Sequence, residues 1–300
     1  VNDLPVFPQT RPLERDDKPL FDDLFRRFPP RLSEYTFTNL FAWRKAYRFT
    51  VSRMEACVLL VSQKGDTWRV FDPLGPQEAK REVMMKCCDT AAAPRLEFCR
   101  IPEATARLFS REDGWSVRED RDNFDHIYRT RDLIGLKGKD YDGKRNFIKR
   151  FKGAVAFEYR PLTAERVKDC FHFEEEWCRT KDCQRVEGIL TEKEALEEML
   201  HNYTFLGVAG GMIEVAGKVE AVALGEALNP ETFVVHVEKA NGALIGIYQT
   251  INQMFTAAAA ASFTYVNREQ DLGVAGLRQA KESYHPCAME KKYIITRKVR

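Results

Sequence analysis

The chain has 300 residues, enough for one large domain or two of ordinary size. Hydrophobic residues make up 44%, which excludes global disorder. The 47 basic and 45 acidic residues leave a formal charge of +2, which excludes a bulk polyanion binder and confines any nucleic-acid contact to a local patch.

In chain order, Leu20–Phe28 and Thr36–Tyr47 are predicted helices. The second carries Phe37, Leu40, Phe41 and Tyr47 on one face, with Ser33 as a candidate cap. Predicted strands follow at Arg48–Arg53, Ala56–Ser62 and Trp68–Phe71, then a helix over Gln77–Cys88 and a strand at Leu96–Arg100. A short helix near Ala104–Ser110 and a strand near His126–Arg129 complete the first half. Next comes KGKDYDGKRNFIKRFK (Lys137–Lys152), with seven basic residues against Asp140 and Asp142. It reads as a helix after a turn at Asp142-Gly143, with Phe147, Ile148 and Phe151 as a buried stripe. The basic face left over is either simply solvated or a phosphate-contacting surface. On that second reading Lys144 and Arg145 are its candidate ligand residues.

In the second half, VAFEYRPL (Val155–Leu162) alternates as a strand, and Ala164–Arg179 and Glu192–Tyr203 have helical spacing. Phe205–Val215, Val219–Ala227 and Thr232–Lys239 are predicted strands, the first two joined by a tight turn at Ala216-Gly217-Lys218. Leu244–Ala261 is a predicted long helix, Phe263–Asn267 a strand, Leu277–Tyr284 a helix and Lys292–Thr296 a closing strand. The first half shows the same order without a clear first strand. The expected division is therefore residues 1–135, a connector at 136–154, and residues 155–300.

Eight cysteines occur without a CxxC pair or a finger-like Cys-His spacing, so no structural metal site is expected and reduced thiols are the plain reading. The N-terminal stretch lacks a basic run followed by an apolar core, so a cytoplasmic protein is expected. Ala240–Asn267 contains no charge, yet Gln249, Thr250, Asn252, Gln253 and Thr256 interrupt it, so a buried helix is expected rather than a membrane span.

The second-half order, β-α-α-β-β-β-α-β-α-β, resembles the GNAT acyltransferase architecture. That resemblance implies a mixed α/β fold in which the fourth and fifth strands splay apart. The N-terminus of the following helix would then hold the pyrophosphate of an acyl carrier through free N–H groups and the helix dipole. The corresponding turn, Lys239-Ala240-Asn241-Gly242-Ala243-Leu244, partly matches the family pattern Q/R-x-x-G-x-G/A, with Lys first, Gly242 fourth and Leu244 sixth. Asn241, Gly242, Ala243 and Gly246 are thus candidate carrier-binding residues. A glycine at 246, inside the predicted helix, costs about 1 kcal/mol relative to Ala and marks either a close backbone approach or helix–sheet packing.

Alternation puts His236 and Glu238 on one face of the fourth strand and Val235, Val237 and Lys239 on the other. Glu238 is a candidate general base, or else a member of an ion pair; His236 reads as a satisfied core histidine. Asn267, Glu269 and Asp271 gather with Arg268 where the fifth strand ends, as candidate substrate contacts or as caps and ion-pair partners of the last helix. Ala280 and Tyr284 match an A-x-x-x-Y run whose tyrosine, by the resemblance, protonates the leaving group.

Longer phrases are similar to a narrower family: SEYTFTNLFAW (Ser33–Trp43), LKGKDYDGKRNFIKRF (Leu136–Phe151), VHVEKA (Val235–Ala240), GIYQTINQMF (Gly246–Phe255) and VNREQDLGVAGLRQAKESYHP (Val266–Pro286). They resemble a bacterial family related to the C-terminal domain of phosphatidylglycerol lysyltransferases. The resemblance implies two GNAT-like domains in tandem, as in the Fem-type aminoacyltransferases, which take an amino acid from aminoacyl-tRNA. The expected function is an acyl- or aminoacyltransferase acting on an amine or hydroxyl, with acyl-CoA or aminoacyl-tRNA as co-substrate and no covalently bound cofactor. Lys137–Lys152 would contact tRNA or an anionic lipid. The alternative is a catalytically idle module that binds an anionic ligand or a partner protein.

Overall fold

Short turns and apolar alternation build the first of two seven-stranded mixed sheets. The computed structural model describes residues 3–298 except 92, 94 and 182–186. Its first unit takes in Val1–Asp125, Gln270–Arg278 and Met289–Arg300. The strands begin with β1 (Arg11–Pro12), which supplies the first strand that the sequence did not show clearly. After helices α1 (Lys18–Arg27) and α2 (Phe37–Tyr47) come β2 (Thr50–Met54), β3 (Cys57–Lys64) and β4 (Thr67–Val70). Helix α3 (Lys80–Thr90), β5 (Arg95–Pro102), the short α4 (Glu103–Ala106) and β6 (Trp115–Glu119) follow. Thr36, not Ser33, caps α2 by accepting a hydrogen bond from the Asn39 amide at 3.1 Å. Ser33 instead donates to Asp125. Leu59, Val61, Val70, Phe98 and Ile101 pack on Val83 and Met84 of α3.

The second unit takes in His126–Glu269 and Gln279–Ala288. Its elements are β7 (Asp125–Arg129), α5 (Thr130–Gly135), α6 (Asp142–Ala154), β8 (Phe157–Pro161), α7 (Val167–Lys181), α8 (Glu187–His201) and α9 (Tyr203–Leu206). Then come β9 (Ala209–Val215), β10 (Lys218–Asn229), β11 (Thr232–Ala240), α10 (Ile247–Ala259), β12 (Tyr265–Asn267), α11 (Ala275–Glu282) and β13 (Ala288–Glu290). The β9–β10 turn puts both Ala216 and Gly217 at positive φ, the geometry that suits a two-residue hairpin. The sheet order is β13-β7-β12-β11-β10-β9-β8, with β11 and β12 parallel.

The last strand, β14 (Lys292–Arg297), joins the first sheet, whose order is β1-β2-β3-β4-β5-β14-β6. Two expectations change here. Lys292–Thr296 does not close the second half, and His126–Arg129 does not close the first; each completes the other sheet. The boundaries expected at 135 and 155 therefore differ from the observed units, with residues 136–154 lying inside the second. Strand for strand, the directions run alike: antiparallel from β1 to β4 and from β8 to β11, parallel at β4–β5 and β11–β12, then antiparallel.

Lys292 is fully buried in the first unit, with Nζ 2.6 Å from Asp125 and 2.7 Å from Glu34. Arg100 reaches the same Glu34 at 2.8 Å, so the buried carboxylates are paired, as burial requires. Among the described residues six cysteines are free thiols, but Cys178 is disulfide-bonded, against the expectation of reduced thiols throughout. Among the described residues, no helix is long and apolar enough to cross a membrane, and no group of His, Cys, Asp and Glu is placed to hold a metal ion.

Candidate active site

In the second unit β11 and β12 pair only from Thr232/Tyr265 to Val234/Asn267, although β11 continues to Ala240. Beyond Val234 the pairing stops with the end of β12 at Asn267, as the GNAT-like arrangement leads one to expect. A bulge sits at the same point: Val237 faces Leu224 while Val235 faces Gly225, so His236 is an extra residue in β11. The bulge overturns the expected alternation. Val235 and Glu238 both lie toward α10, Lys239 lies toward α7, and His236 parts from Glu238.

Glu238 is held on both oxygens. Arg268 donates to Oε1 at 3.0 Å and Asn252 of α10 to Oε2 at 2.8 Å. Arg268 follows β12, so this ion pair spans the diverging strands. Its guanidinium also lies 4.7 Å from the centre of the Tyr284 ring, and Lys144 Nζ lies 4.1 Å from that centre. Lys144 donates to Ser283 Oγ at 2.5 Å. Burial lowers the Lys144 pKa, nearby Arg268 lowers it further, and Glu238 opposes both. Burial holds the Tyr284 phenol well above its ordinary value; Arg268 opposes that shift and Glu238 adds to it. Tyr284 thus keeps its proton at neutral pH. Two polar atoms in the cluster, Arg268 Nη1 and Asn252 Oδ1, are buried without a hydrogen-bond partner. An unmatched donor and an unmatched acceptor on the two partners of Glu238 can receive a polar substrate group.

The structure therefore brings Glu238, Tyr284 and Lys144 together and adds Arg268 and Asn252. Neither addition was assigned a role from the sequence. Their signals were an asparagine on the buried face of an apolar helix and an arginine immediately after a buried strand.

The other candidates do different work. Arg145 ties down the loop before α6, donating to the Leu136 and Gly138 carbonyls and to Asp142, so it is not poised for phosphate. Asn267 is buried and accepts from the Glu269 amide at 2.8 Å, shaping the turn after β12. Glu269 bonds His236 Nδ1 at 2.8 Å, and Glu226 reaches Nε2 at 2.9 Å. Burial disfavours a charge on His236, but these two carboxylates outweigh it and raise its pKa to about 9. Asp271 belongs to the first unit, where Arg278 and Arg121 bind its buried carboxylate. The expected substrate trio is thus three structural groups in two units.

The expected phosphate turn is partly tied down by its own hydrogen bonds. The Asn241 amide bonds the Glu220 carbonyl, the Ala243 amide the Asn241 side chain, the Leu244 amide the Asn241 carbonyl and the Ile247 amide the Leu244 carbonyl. Asn241 Nδ2 donates to Glu220 at 2.8 Å. Lys239 is buried, 2.9 Å from Glu174 and stacked on Trp177. Helix α10 starts at Ile247, not Leu244, because Gly246 adopts φ 95°. A Cβ there would come within 2.1 Å of the Phe147 carbonyl, so α6 lies directly against the start of α10. Only Ile148 and Phe151 of the expected α6 stripe are buried, while Phe147 is exposed. Gly242 and Ala243 remain exposed on the turn.

In the first unit the matching divergence of β4 and β5 is bridged by one side chain. The Tyr35 hydroxyl accepts from the Asp72 amide at 2.9 Å and donates to the Arg100 carbonyl at 3.0 Å. In the second unit, by contrast, Arg268 Nη1 and Asn252 Oδ1 stay unmatched beside the diverging strands.

Two seven-stranded mixed sheets, each with one parallel pair whose pairing stops while one strand runs on, define a tandem GNAT-like fold of the acyltransferase and aminoacyltransferase type. Residues 25–296 match the family described as phosphatidylglycerol lysyltransferase, C-terminal, and the chain belongs to that family. A conserved protein of Bacteroides thetaiotaomicron is 31% identical, with TM-score 0.88 over 96% of this chain and 99% of its own. L-PGS from Bacillus licheniformis shares the fold at 14% identity and TM-score 0.65, over 95% and 93% of the two chains. FemX does so at 8% identity and TM-score 0.57, over 95% and 96%. A search of curated protein sequences gives no match.

Proposed function

We propose that the chain is an aminoacyltransferase that takes its aminoacyl group from an ester, as in aminoacyl-tRNA, and not from a coenzyme A thioester. The observation that carries the choice of donor is the partly bonded turn before α10, packed against α6. Four of its amides, those of Asn241, Ala243, Leu244 and Ile247, are bonded within the fold and α6 lies against Gly246, which leaves less of the turn open to a pyrophosphate. The kinship with the lysyltransferase family and the likeness in fold to FemX support the same reading.

The reaction centre is the cluster between β11 and β12. An acceptor amine attacks the ester carbonyl, forming a C–N bond as the C–O bond to the ribose breaks. Arg268 Nη1 donates to the carbonyl oxygen as negative charge develops there. Glu238, once Arg268 turns toward that oxygen, takes the proton of the amine. Tyr284 gives its proton to the departing ribose oxygen, and solvent returns the proton from Glu238 to Tyr284. Lys144, 4.1 Å from the centre of the ring, stabilises the transient phenolate. The exposed Lys149, Arg150 and Lys152 on α6 supply the contact with the tRNA backbone. Such a donor places the reaction in the cytoplasm.

One observation favours a second reading, an idle module that binds an anion: Glu238 has both oxygens engaged. A transfer assay separates the two. The chain is incubated with a radiolabelled aminoacyl-tRNA pool and an amine, and in parallel with radiolabelled acetyl-CoA. Amide product from the first alone supports the aminoacyltransferase; product from neither supports the idle module.

A further inference from the structure

The second unit contains a cavity of about 510 Å³ at the end of β12 away from Arg268. Strand pairing places it there: Arg129 lies opposite Tyr265, the first residue of β12, and Phe263 precedes that strand. Three cations line the cavity, Arg129, Arg131 and Lys137. Arg131 leans toward Asp132 at 3.6 Å, whereas Arg129 and Lys137 make no ion pair among the described residues. Ile134 and Phe263 give it an apolar side, the Phe263 ring being fixed by packing on Phe233 with centroids 5.5 Å apart. Thr130, which also lines the cavity, is 2% exposed, and its hydroxyl has no hydrogen-bond partner. Its amide is already bonded to the Thr264 carbonyl.

A buried hydroxyl left unmatched lowers stability, and one at the wall of a cavity beside the exposed, unpaired Arg129 and Lys137 would gain a partner from an anionic ligand. Two positive charges and a hydroxyl on separate side chains suit a dianion with several acceptor oxygens better than a carboxylate. The volume is within the range of small-molecule sites. We propose that this cavity binds an organic phosphate monoester, with the phosphate held by Arg129 and Lys137, the Thr130 hydroxyl joining them once its side chain turns toward the cavity, and the organic body lying against Ile134 and Phe263.

Calorimetric titration of the full chain tests this with four probes: phenyl phosphate, adenosine monophosphate, inorganic phosphate and phenol. At least one monoester should bind tenfold or more tightly than both inorganic phosphate and phenol. Preference for the nucleotide identifies a nucleotide ligand, and preference for phenyl phosphate a short aryl or alkyl phosphate. Joint replacement Arg129→Ala and Lys137→Ala should cost at least tenfold in affinity. Thr130→Val should weaken binding several-fold while the melting temperature of the unliganded chain holds or rises, because an apolar isostere removes the unmatched group. Tyr284→Phe, at the other end of β12, should leave binding unchanged, which keeps this result separate from the transferase reading. The proposal is overturned if neither monoester exceeds inorganic phosphate, or if the Arg129, Lys137 and Thr130 variants bind as the parent does.

Discussion

Arg268 lies against the ring of Tyr284, 4.7 Å from its centre, while holding Glu238 at 3.0 Å. One guanidinium thus joins the proposed proton donor to the proposed proton acceptor. Tyr284→Phe should slow turnover by about 10²- to 10⁴-fold, the usual worth of general acid assistance, and leave donor affinity nearly intact. Arg268→Ala should slow turnover further and also lower the melting temperature, since Glu238 loses its counter-charge. Removing one member of a buried pair costs up to about 5 kcal/mol, and partial exposure brings the expectation here nearer 2 kcal/mol. Single-turnover kinetics and thermal unfolding of the two variants check both. Equal turnover in Tyr284→Phe and the parent would remove Tyr284 from the mechanism.

Two glycines of one turn should behave in opposite ways. Gly246→Ala forces a Cβ onto the Phe147 carbonyl at a positive φ, which should destabilise the fold by about 2 to 5 kcal/mol. Gly242→Ala meets nothing within 4 Å and should change stability by less than about 0.5 kcal/mol. Urea denaturation measures both. A neutral Gly246→Ala would mean that α6 does not lie against α10 as described.

The His236 pair sets a pH limit on stability. Its folded pKa, about 9, lies above the ordinary value of 6.5. The folded state therefore binds the extra proton between those values, and stability falls as pH rises through that window. The contribution is fully present below pH 6.5 and gone above 9, and amounts to at most about 3 kcal/mol. Melting curves from pH 6 to 10 should show the decline, and His236→Gln should flatten it. An unchanged slope in that variant would assign the titration to another group.

Much of the fold was legible locally. The Ala216-Gly217 hairpin and the apolar spacing of α10 are written in short-range chemistry; the hairpin appears where expected and α10 inside the expected range, Ile247–Ala259. What local patterns do not encode is partnership across the chain. β7 and β14 read as strands, but nothing within Asp125–Arg129 or Lys292–Arg297 names the sheet each will join. The bulge at His236 was hidden for a related reason: it interrupts a run whose alternation looked regular, and so reversed the face on which Glu238 lies relative to Val235. Of the candidate site, Glu238, Tyr284 and Lys144 do meet. Arg145, Asn267, Glu269 and Asp271 looked available because a charged or amide side chain gives no sign in the sequence that its partner is already inside the fold.

The basic helix should show its role in salt dependence. Replacing the exposed Lys149, Arg150 and Lys152 of α6 with Ala should weaken tRNA binding. It should also lower the slope of log affinity against log salt by about 0.7 to 0.9 for each phosphate no longer neutralised. The fold should survive, because none of the three is buried. Arg145→Ala should instead lower the melting temperature through the loop it ties down and leave the slope alone. Filter binding between low and moderate salt reports both numbers, and an unchanged slope in the triple variant would return α6 to a merely solvated face.

The central claim is the class of donor, and comparative thermal stabilisation tests it most directly. The full chain is melted alone, with a hydrolysis-resistant aminoacyl-tRNA analogue, and with acetyl-CoA, each ligand at 100 times a separately measured dissociation constant or at the solubility limit. The analogue should add about 2.7 kcal/mol of stability, the linkage value at that saturation, and acetyl-CoA should add none. Stabilisation by acetyl-CoA that Gly242→Asp abolishes, with no effect of the tRNA analogue, would contradict the account.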